Sequence, residues 1–217
     1  MALYFLGFSL FGVLFYAIIP VPFTPLMAIR AIEKIAEGEM PTFNRDWEPI
    51  TKISPNLQMA VIASEDQKFY EHYGFDTEAI EKAFKQNKKG RRIKGGSTIT
   101  QQTAKNVFLW PGRSYIRKGF EAYFALLIEV FWSKKRILSV YLNNIEMGDG
   151  IYGAQAAARY YFHKDAENLN KSEAAAIAAV LPNPRKWNPN RPTYYITKRK
   201  NQIIRQINNI QGTIPIY

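Results

Sequence analysis

The chain has 217 residues, of which 47% are hydrophobic and 14% aromatic, so it can bury the core of one substantial domain with a small appendage and is not disordered. Its formal charge of +11 indicates an anionic partner, which could be nucleic acid, an anionic bilayer or a phosphorylated substrate. The absence of cysteine excludes disulfides and thiolate metal sites, and with two histidines any metal would need mainly carboxylate or carbonyl ligands.

The chain begins with an apolar segment. Residues 3–19 are nearly all apolar, and no charge occurs before Arg30. Because about 20 apolar residues are needed to cross a bilayer, we predict a transmembrane helix within 1–22. A cleaved signal peptide is the alternative, but no basic region precedes the run, and Pro20 and Pro22 stand where small residues would mark cleavage. Flanking charges leave the orientation undecided, since none precedes the span and both signs follow it.

A polar, proline-containing stretch then predicts a tether over 23–49, before a folded domain over 50–217. Within the domain, apolar residues recur at helical spacing and alternating strand patterns are scarce, so we predict a mainly α fold. Helices are predicted after Ser54-Pro55, over 97–108, within 113–143, over 171–181 and over 198–209, with a basic connector over 85–94.

The helix predicted after Ser54 carries a carboxylate among apolar residues. Leu57, Val61, Glu65 and Phe69 are four residues apart, which places Glu65 on the stripe that should face the interior. Desolvation there would raise the pKa of the carboxyl group, and such a group suits a general base near neutral pH. The alternative is a buried structural glutamate that is paired with a helix cap or a lysine.

A second helix start follows Gly95-Gly96. Thr98 and Gln101 have the spacing of a capping box, and a helix terminus of this kind offers N–H groups to a phosphate. Lys105 shares a helix face with Thr98 and Gln102, so a pyrophosphate could be held there. A plain capped helix is the alternative. A nucleotide P-loop is excluded, because Lys and then Ser or Thr do not follow Gly95.

Three further patterns combine charges or aromatic residues. Arg117, Lys118 and Glu121 place two cations and a carboxylate within about one helical turn, either as a solvated pair or as half of a charged site. The basic run at 133–136 is typical of a solvated face or a helix start. The aromatic residues within 108–115, which lie beside cations, suit either the boundary of a bilayer or a loop that anchors the core.

Together these patterns form four ordered motifs. They are Glu65-Asp66-Gln67-Lys68-Phe69-Tyr70-Glu71-His72-Tyr73-Gly74; Gly96-Ser97-Thr98-Ile99-Thr100-Gln101-Gln102 with Lys105-Asn106; Arg117-Lys118 with Glu121; and Lys135-Arg136-Ile137-Leu138 with Tyr141-Leu142-Asn143. Over about residues 50–190 they resemble the peptidoglycan glycosyltransferase family. Since no transpeptidase domain follows, the resemblance is to its monofunctional members instead of the bifunctional penicillin-binding proteins. It implies a lysozyme-like helical domain with a membrane-touching lobe.

The resemblance implies that lipid II is polymerised into linear glycan strands. Glu65 would deprotonate the 4-hydroxyl of the incoming disaccharide, which attacks the growing chain with inversion and releases undecaprenyl pyrophosphate. Glu121 would be the second catalytic acidic residue, near the leaving pyrophosphate. The substrate-binding residues implied in the same way are Asp66, Phe69, His72, Ser97, Thr98, Gln101, Gln102, Lys105, Asn106, Arg117 and Lys118.

The resemblance also implies the surroundings of the enzyme. No organic cofactor is expected, and a divalent cation, Mg²⁺ or Mn²⁺, is a candidate at the pyrophosphate. The expected partners are lipid II, the growing glycan chain, the membrane and other cell-wall synthesis or division proteins, and not nucleic acid. The expected location is the bacterial inner membrane, with one span and a periplasmic catalytic domain. Relatives carry a basic segment before the span, so its absence here leaves open whether Met1 is the true start.

Two other functions fit part of these patterns. A muramidase or lytic transglycosylase could share the fold and one essential glutamate, but it needs neither a lipid anchor nor a cation cluster for pyrophosphate. A tethered basic adaptor for nucleic acid would explain the charge, yet it would leave Glu65 unexplained on an apolar stripe. Incubation with labelled lipid II separates these possibilities.

Overall fold

Helices make up most of the described chain. The computed structural model describes residues 1–81, 96–112 and 114–217, so the predicted connector over 85–94, Gly95 and Arg113 lie outside it. The helices are α1 (Ala2–Ile18), α2 (Pro25–Ala36), α3 (Pro55–Glu65), α4 (Ile99–Phe108), α5 (Tyr115–Phe131), α6 (Lys134–Asn144), α7 (Ala154–Phe162), α8 (Lys171–Val180) and α9 (Tyr194–Ile210), with short 3₁₀ turns at Ile50–Lys52 and Ala166–Asn168. The mainly α class is confirmed.

A small sheet accompanies the helices. Its strands are β1 (Asn44–Arg45), β2 (Glu146–Gly148) and β3 (Ile151–Tyr152), in the order β1-β3-β2. β1 runs parallel to β3, with Asn44 opposite Ile151, and β2 runs antiparallel to β3. Strands of two or three residues are too short to show an alternating pattern, which is why the sequence did not predict them.

The central helix, α3, begins as predicted. Ser54 Oγ accepts a hydrogen bond from the Asn56 N–H at 3.2 Å, and Pro55 is the first helical residue. Every residue from Leu57 to Ala63 is buried, because α8 and α9 both pack against this helix. The single apolar stripe expected here is therefore wrong: the helix is buried on all sides and ends at Glu65. Glu65 is enclosed because it ends a central helix.

A second group of helices surrounds α4, which packs against α5 and α6. The apolar region predicted within 113–143 is divided between α5 and α6, with a break at Trp132 and Ser133. Ser133 Oγ accepts a hydrogen bond from the Arg136 N–H at 3.2 Å and so begins α6. The basic run is thus a helix start, one of its two predicted interpretations. The two helix groups meet where α3 ends and α4 begins.

Residues 23–49, which were expected to be a tether, contain α2 and β1 and are packed on the domain. The Lys34 ammonium donates to Asp149 Oδ2 at 2.7 Å, beside the β2–β3 turn. The Arg45 guanidinium donates to Asn144 Oδ1 at 3.2 Å, at the end of α6. Polar composition suggested a linker, but these polar groups bond to the domain, so its folded part includes residues upstream of the predicted boundary.

Helix α1 covers most of the segment predicted to cross a membrane, and it packs against α5. The Trp132 indole N–H donates to the Val13 carbonyl at 2.8 Å. The Arg136 guanidinium donates to the Tyr16 carbonyl at 2.8 Å, near the end of the helix. None of the helices within the described ranges has the combination of length and apolar character that a membrane span requires. The transmembrane helix stays a prediction.

Removing residues 1–19 should lower the thermal unfolding midpoint of the domain but leave its unfolding cooperative. The deletion takes acceptors from Trp132 and Arg136 and uncovers the surface beneath Val13, whereas the core around α3 keeps its contacts. A loss of about 2 kcal/mol would correspond to a decrease of about 4–8 °C in a domain of this size.

Circular dichroism during heating in detergent would measure this midpoint. Leu3→Ala is the control and should leave the midpoint unchanged, because Leu3 is 84% exposed on α1. Equal midpoints for the truncated and complete chains would show that α1 contributes nothing to the stability of the domain.

Candidate active site

Glu65, at the end of α3, points its carboxylate toward α4 and α9. The side chain is 14% exposed. Its Oε2 accepts a hydrogen bond from Gln102 Nε2 at 3.0 Å, and its Oε1 accepts one from Arg199 Nη2 at 3.2 Å. Burial raises the pKa of Glu65, while the Gln102 hydrogen bond and the Arg199 charge act in the opposite direction. A held, partly buried carboxylate with a raised pKa suits a general base.

Gln102 is itself oriented from α6. Its Oε1 accepts a hydrogen bond from the Tyr141 hydroxyl at 3.2 Å. Burial, together with the charges of Glu65 and Asp66, raises the pKa of Tyr141 well above its usual value. Tyr141 therefore stays protonated and donates to Gln102, which leaves the amide N–H of Gln102 directed at Glu65.

Asp66 joins the end of α3 to the beginning of α4. Its Oδ2 accepts a hydrogen bond from the Ile99 N–H at 2.9 Å, and His72 Nε2 donates to its Oδ1 at 2.8 Å. The predicted capping box is confirmed, with the Gln101 N–H donating to Thr98 Oγ1 at 3.2 Å. Contrary to expectation, the N–H groups of Ile99 and Gln101 are not available to a phosphate, because side chains of the protein accept their hydrogen bonds.

On α5, Arg117, Lys118 and Glu121 form a charged cluster. The buried Glu121 carboxylate accepts hydrogen bonds from Arg117 Nη1 at 3.0 Å and from Lys118 Nζ at 2.5 Å. Lys118 also donates to Ser97 Oγ at 3.3 Å, just before α4 begins. Glu121 is buried and both of its oxygens are bonded. The structure therefore favours the interpretation that these residues are part of a charged site over that of a solvated ion pair.

Lys105, on α4, is influenced by both carboxylates. Burial lowers the pKa of its ammonium, and the charges of Glu121 and Glu65 act in the opposite direction. Its ammonium has no hydrogen bond or ion pair to any described residue. Among the residues that the structure describes, Arg117 Nε on α5 and Arg199 Nε on α9 are also buried without hydrogen-bond partners. Three helices therefore contribute cationic side chains with unpaired donors near Glu65 and Glu121, and such donors suit an anion.

The other predicted binding residues lie in the core or in the frame of the site. Phe69 is fully buried under the Lys134 ammonium, so it offers no surface to a substrate, contrary to prediction. Asn106 is 3% exposed on α4. The frame consists of Asp66, His72, Thr98 and Gln101, and the residues gathered around it are Glu65, Ser97, Gln102, Lys105, Arg117, Lys118 and Glu121.

The acidic and histidine side chains of the described residues are not grouped as metal ligands. In the described ranges, no group of three or more His, Cys, Asp or Glu residues could hold a metal ion. Glu121 does not present a free carboxylate, since Arg117 and Lys118 are bonded to its two oxygens. The residues present do not fit a divalent ion by themselves, so Mg²⁺ or Mn²⁺ at the pyrophosphate stays a prediction.

Comparisons with known proteins show the family of the chain. A family model described as transglycosylase matches residues 32–208. The chain is similar to proteins named biosynthetic peptidoglycan transglycosylase. It is 53% identical over 214 residues to that of Bacteroides thetaiotaomicron, which covers 99% of this chain and 86% of the relative. The identity is 56% over 192 residues for Caulobacter vibrioides (88% of this chain, 81% of the relative) and 51% over 210 residues for Pseudomonas putida (97% and 89%). The chain belongs to the transglycosylase family. The family expected from the four motifs is confirmed.

In this transglycosylase, Arg199 contacts Glu65 in the candidate site, and the sequence analysis did not identify it. It is separated from Glu65 by 134 positions in the chain. The terminal helix itself was predicted over 198–209, and its residues Ile203 and Ile207 are buried. Arg199 precedes Ile203 by four residues and therefore shares the buried face of the helix. A cation on an apolar helix face was the signal that could have identified it.

Arg199→Ala should move the acid limb of the transglycosylase's kcat/KM profile to higher pH. A general base must be a carboxylate, so if Glu65 has that role the rate falls as the pH falls through its pKa. Removing the cation removes stabilisation of the charged form and raises that pKa further, by about one unit if the contact contributes about 1.4 kcal/mol.

Initial rates of glycosyl transfer between acidic and neutral pH would measure the shift. Arg199→Lys keeps the charge and should shift the limb less, and Lys198→Ala, at an exposed neighbouring position, should not shift it. An unchanged acid limb for Arg199→Ala would disprove the assigned influence of Arg199.

Proposed function

We propose that this transglycosylase polymerises lipid II into linear glycan strands of bacterial peptidoglycan, with inversion and release of undecaprenyl pyrophosphate. One observation carries the proposal: the buried Glu65, with its raised pKa, lies in one site with the uncommitted donors of Lys105, Arg117 and Arg199. A base alone would also serve a hydrolase. A base beside an anion-binding region supports a sugar donor with a phosphorylated leaving group.

In the proposed reaction, Glu65 accepts the proton of the 4-hydroxyl as that oxygen attacks the anomeric carbon of the growing chain. The new C–O bond forms while the bond to the pyrophosphate oxygen breaks on the opposite face, so the configuration inverts. Gln102 and Arg199 favour the carboxylate that must act as base, and burial lets Glu65 retain the proton afterwards. General-base catalysis of this kind contributes about 10²–10⁴-fold.

The leaving pyrophosphate gathers negative charge as the bond breaks, and Lys105, Arg117 and Lys118 are the residues suited to stabilise it. Fixed cations are effective here because they need not reorganise during the reaction. The Glu121 carboxylate accepts hydrogen bonds from Arg117 at 3.0 Å and from Lys118 at 2.5 Å. Its proposed role is therefore to orient these cations.

We also propose that residues 1–22 anchor the enzyme in the cytoplasmic membrane, with the catalytic domain outside. Large apolar side chains of α1 are exposed: Leu3, Tyr4, Phe8 and Phe11 are 66–84% accessible. The Phe120 ring lies 5.6 Å from that of Phe5 and 6.2 Å from that of Trp110, so this face continues into Trp110, and the exposed Tyr115 and Ile116 begin the same helix as Phe120. The cations of α5 follow directly, where the phosphates of a membrane-bound lipid would arrive.

Glu65→Gln should nearly abolish glycan formation from lipid II, because the substitution keeps the volume of the side chain but removes the base. The expected loss in kcat is at least about 10²-fold. Substrate binding should survive, since the cations of α4 and α5 are unchanged.

Labelled lipid II would be followed by separation of glycan products and by the appearance of undecaprenyl pyrophosphate, with binding measured separately. Normal polymerisation by Glu65→Gln would show that the base is assigned wrongly. A wild-type enzyme that degrades preformed glycan and ignores lipid II would replace the proposed reaction with that of a hydrolase.

Lys105→Met should lower kcat by about 10²-fold, the loss typical of removing one group that stabilises transition-state charge. The thermal midpoint should not fall, because the ammonium has no bonded partner among the described residues and its burial is costly. Lys198→Met, which removes one exposed positive charge, is the matched control. Equal turnover of Lys105→Met and wild type would remove Lys105 from the anion-binding site.

A further inference from the structure

The basic run at 133–136 takes no part in the proposed chemistry, yet Lys134 is largely enclosed. Its side chain is 20% exposed, against 6% for Glu129. Lys134 Nζ donates to Glu129 Oε1 and to the His72 carbonyl, both at 2.7 Å, and lies 4.7 Å from the centre of the Phe69 ring. An ammonium has three donors. A carboxylate, a carbonyl and a ring face together engage all three.

Glu129 connects the same contacts to α4. Its Oε1 also accepts a hydrogen bond from Thr100 Oγ1 at 2.5 Å. Gly74, at φ +80°, packs so closely that an added Cβ would lie 3.1 Å from Glu129 Cγ. The Gly74 carbonyl accepts a hydrogen bond from Thr98 Oγ1 at 2.6 Å. The Lys134–Glu129 pair therefore contacts both the loop 66–74 and the first turn of α4.

These contacts lead back to the general base through two residues. His72, whose carbonyl accepts from Lys134, donates through its ring to Asp66. Asp66 follows Glu65 directly and accepts the Ile99 N–H at the start of α4. A displaced His72 would therefore shift Asp66, and with it the placement of the end of α3 against α4.

We propose that Lys134, paired with Glu129, is a positioning residue for glycosyl transfer, which sets the place of Glu65 relative to α4 through His72 and Asp66. The inference rests on the function proposed above. The two basic residues that follow have other contacts: the Lys135 ammonium lies 4.7 Å from the centre of the Tyr217 ring, and Arg136 bonds to the end of α1.

The test compares Lys134→Met with Lys135→Met in the full chain, in the lipid II assay. Lys134→Met should lower kcat by about 10²-fold, the loss that a misplacement of about 1 Å can cause, with a smaller change in KM and a shifted acid limb of the pH profile. Lys135→Met should behave as wild type. A merely structural role would reduce the folded fraction and leave the pH profile of the remaining activity unchanged.

A second variant covers the possibility that Lys134→Met fails to fold because Glu129 is left as a buried, unpaired charge. Lys134→Met combined with Glu129→Gln removes that charge, and circular dichroism would establish that the double variant folds. Reduced kcat with a shifted pH profile in the folded double variant supports the proposal. Wild-type kcat and a wild-type profile overturn it.

An additional measurement separates this inference from the proposed function. Hydrogen exchange of the Ile99 N–H reports its bond to Asp66 and needs no substrate. Exchange should be faster in the double variant than in Lys135→Met, and equal rates would contradict the proposed connection. Failure of the wild type to polymerise lipid II, with faster exchange in the double variant, would overturn the reaction and leave the positioning contact supported.

Discussion

The carboxylate of Asp66 accepts a hydrogen bond from the Ile99 N–H at 2.9 Å while His72 donates to its other oxygen at 2.8 Å. A negative charge at a helix N-terminus is stabilised by the hydrogen bond and by the helix dipole. Because Asp66 directly follows Glu65, the contact that caps α4 also places Glu65, the proposed general base, opposite Gln102. The relative positions of Glu65 on α3 and Lys105 on α4 therefore depend on the same contact. Separation of α3 from α4 would disrupt the candidate site.

Burial acts on both the negative and the positive groups of the candidate site. It raises the pKa of Glu65 and lowers that of Lys105, because a poorly solvated environment penalises the charged form of either group. Arg199 recovers part of this penalty for Glu65, and Glu121 does so for Lys105. The burial that raises the pKa of Glu65 thus also lowers the pKa of Lys105, and a nearby anion would raise the pKa of Lys105 again. A more exposed site would have ordinary pKa values and weaker electrostatic control.

Local contacts were the predictable part of this site. The Ser54 cap, the Thr98–Gln101 capping box and the Arg117–Glu121 spacing involve residues at most four apart, so the sequence displays them directly. Arg199 and Lys134 reach the site only after distant helices have packed, and no spacing rule records their partners. The all-round burial of α3 was missed for the same reason, since tertiary packing decides which faces of a helix are covered.

The candidate site contains cationic hydrogen-bond donors that have no partner among the described residues. A buried donor without a partner costs about 1–3 kcal/mol, so a fold retains several together only where other constraints hold them. Among the described residues, Arg117 Nε and Arg199 Nε are such donors, and the Lys105 ammonium is also unbonded. Glu121 already satisfies Arg117 Nη1 and one donor of Lys118, so a diphosphate need not displace it. In the proposed reaction, the arrival of a diphosphate would engage donors that have no partner among the described residues, and a neutral glycan could not use their positive charge in the same way.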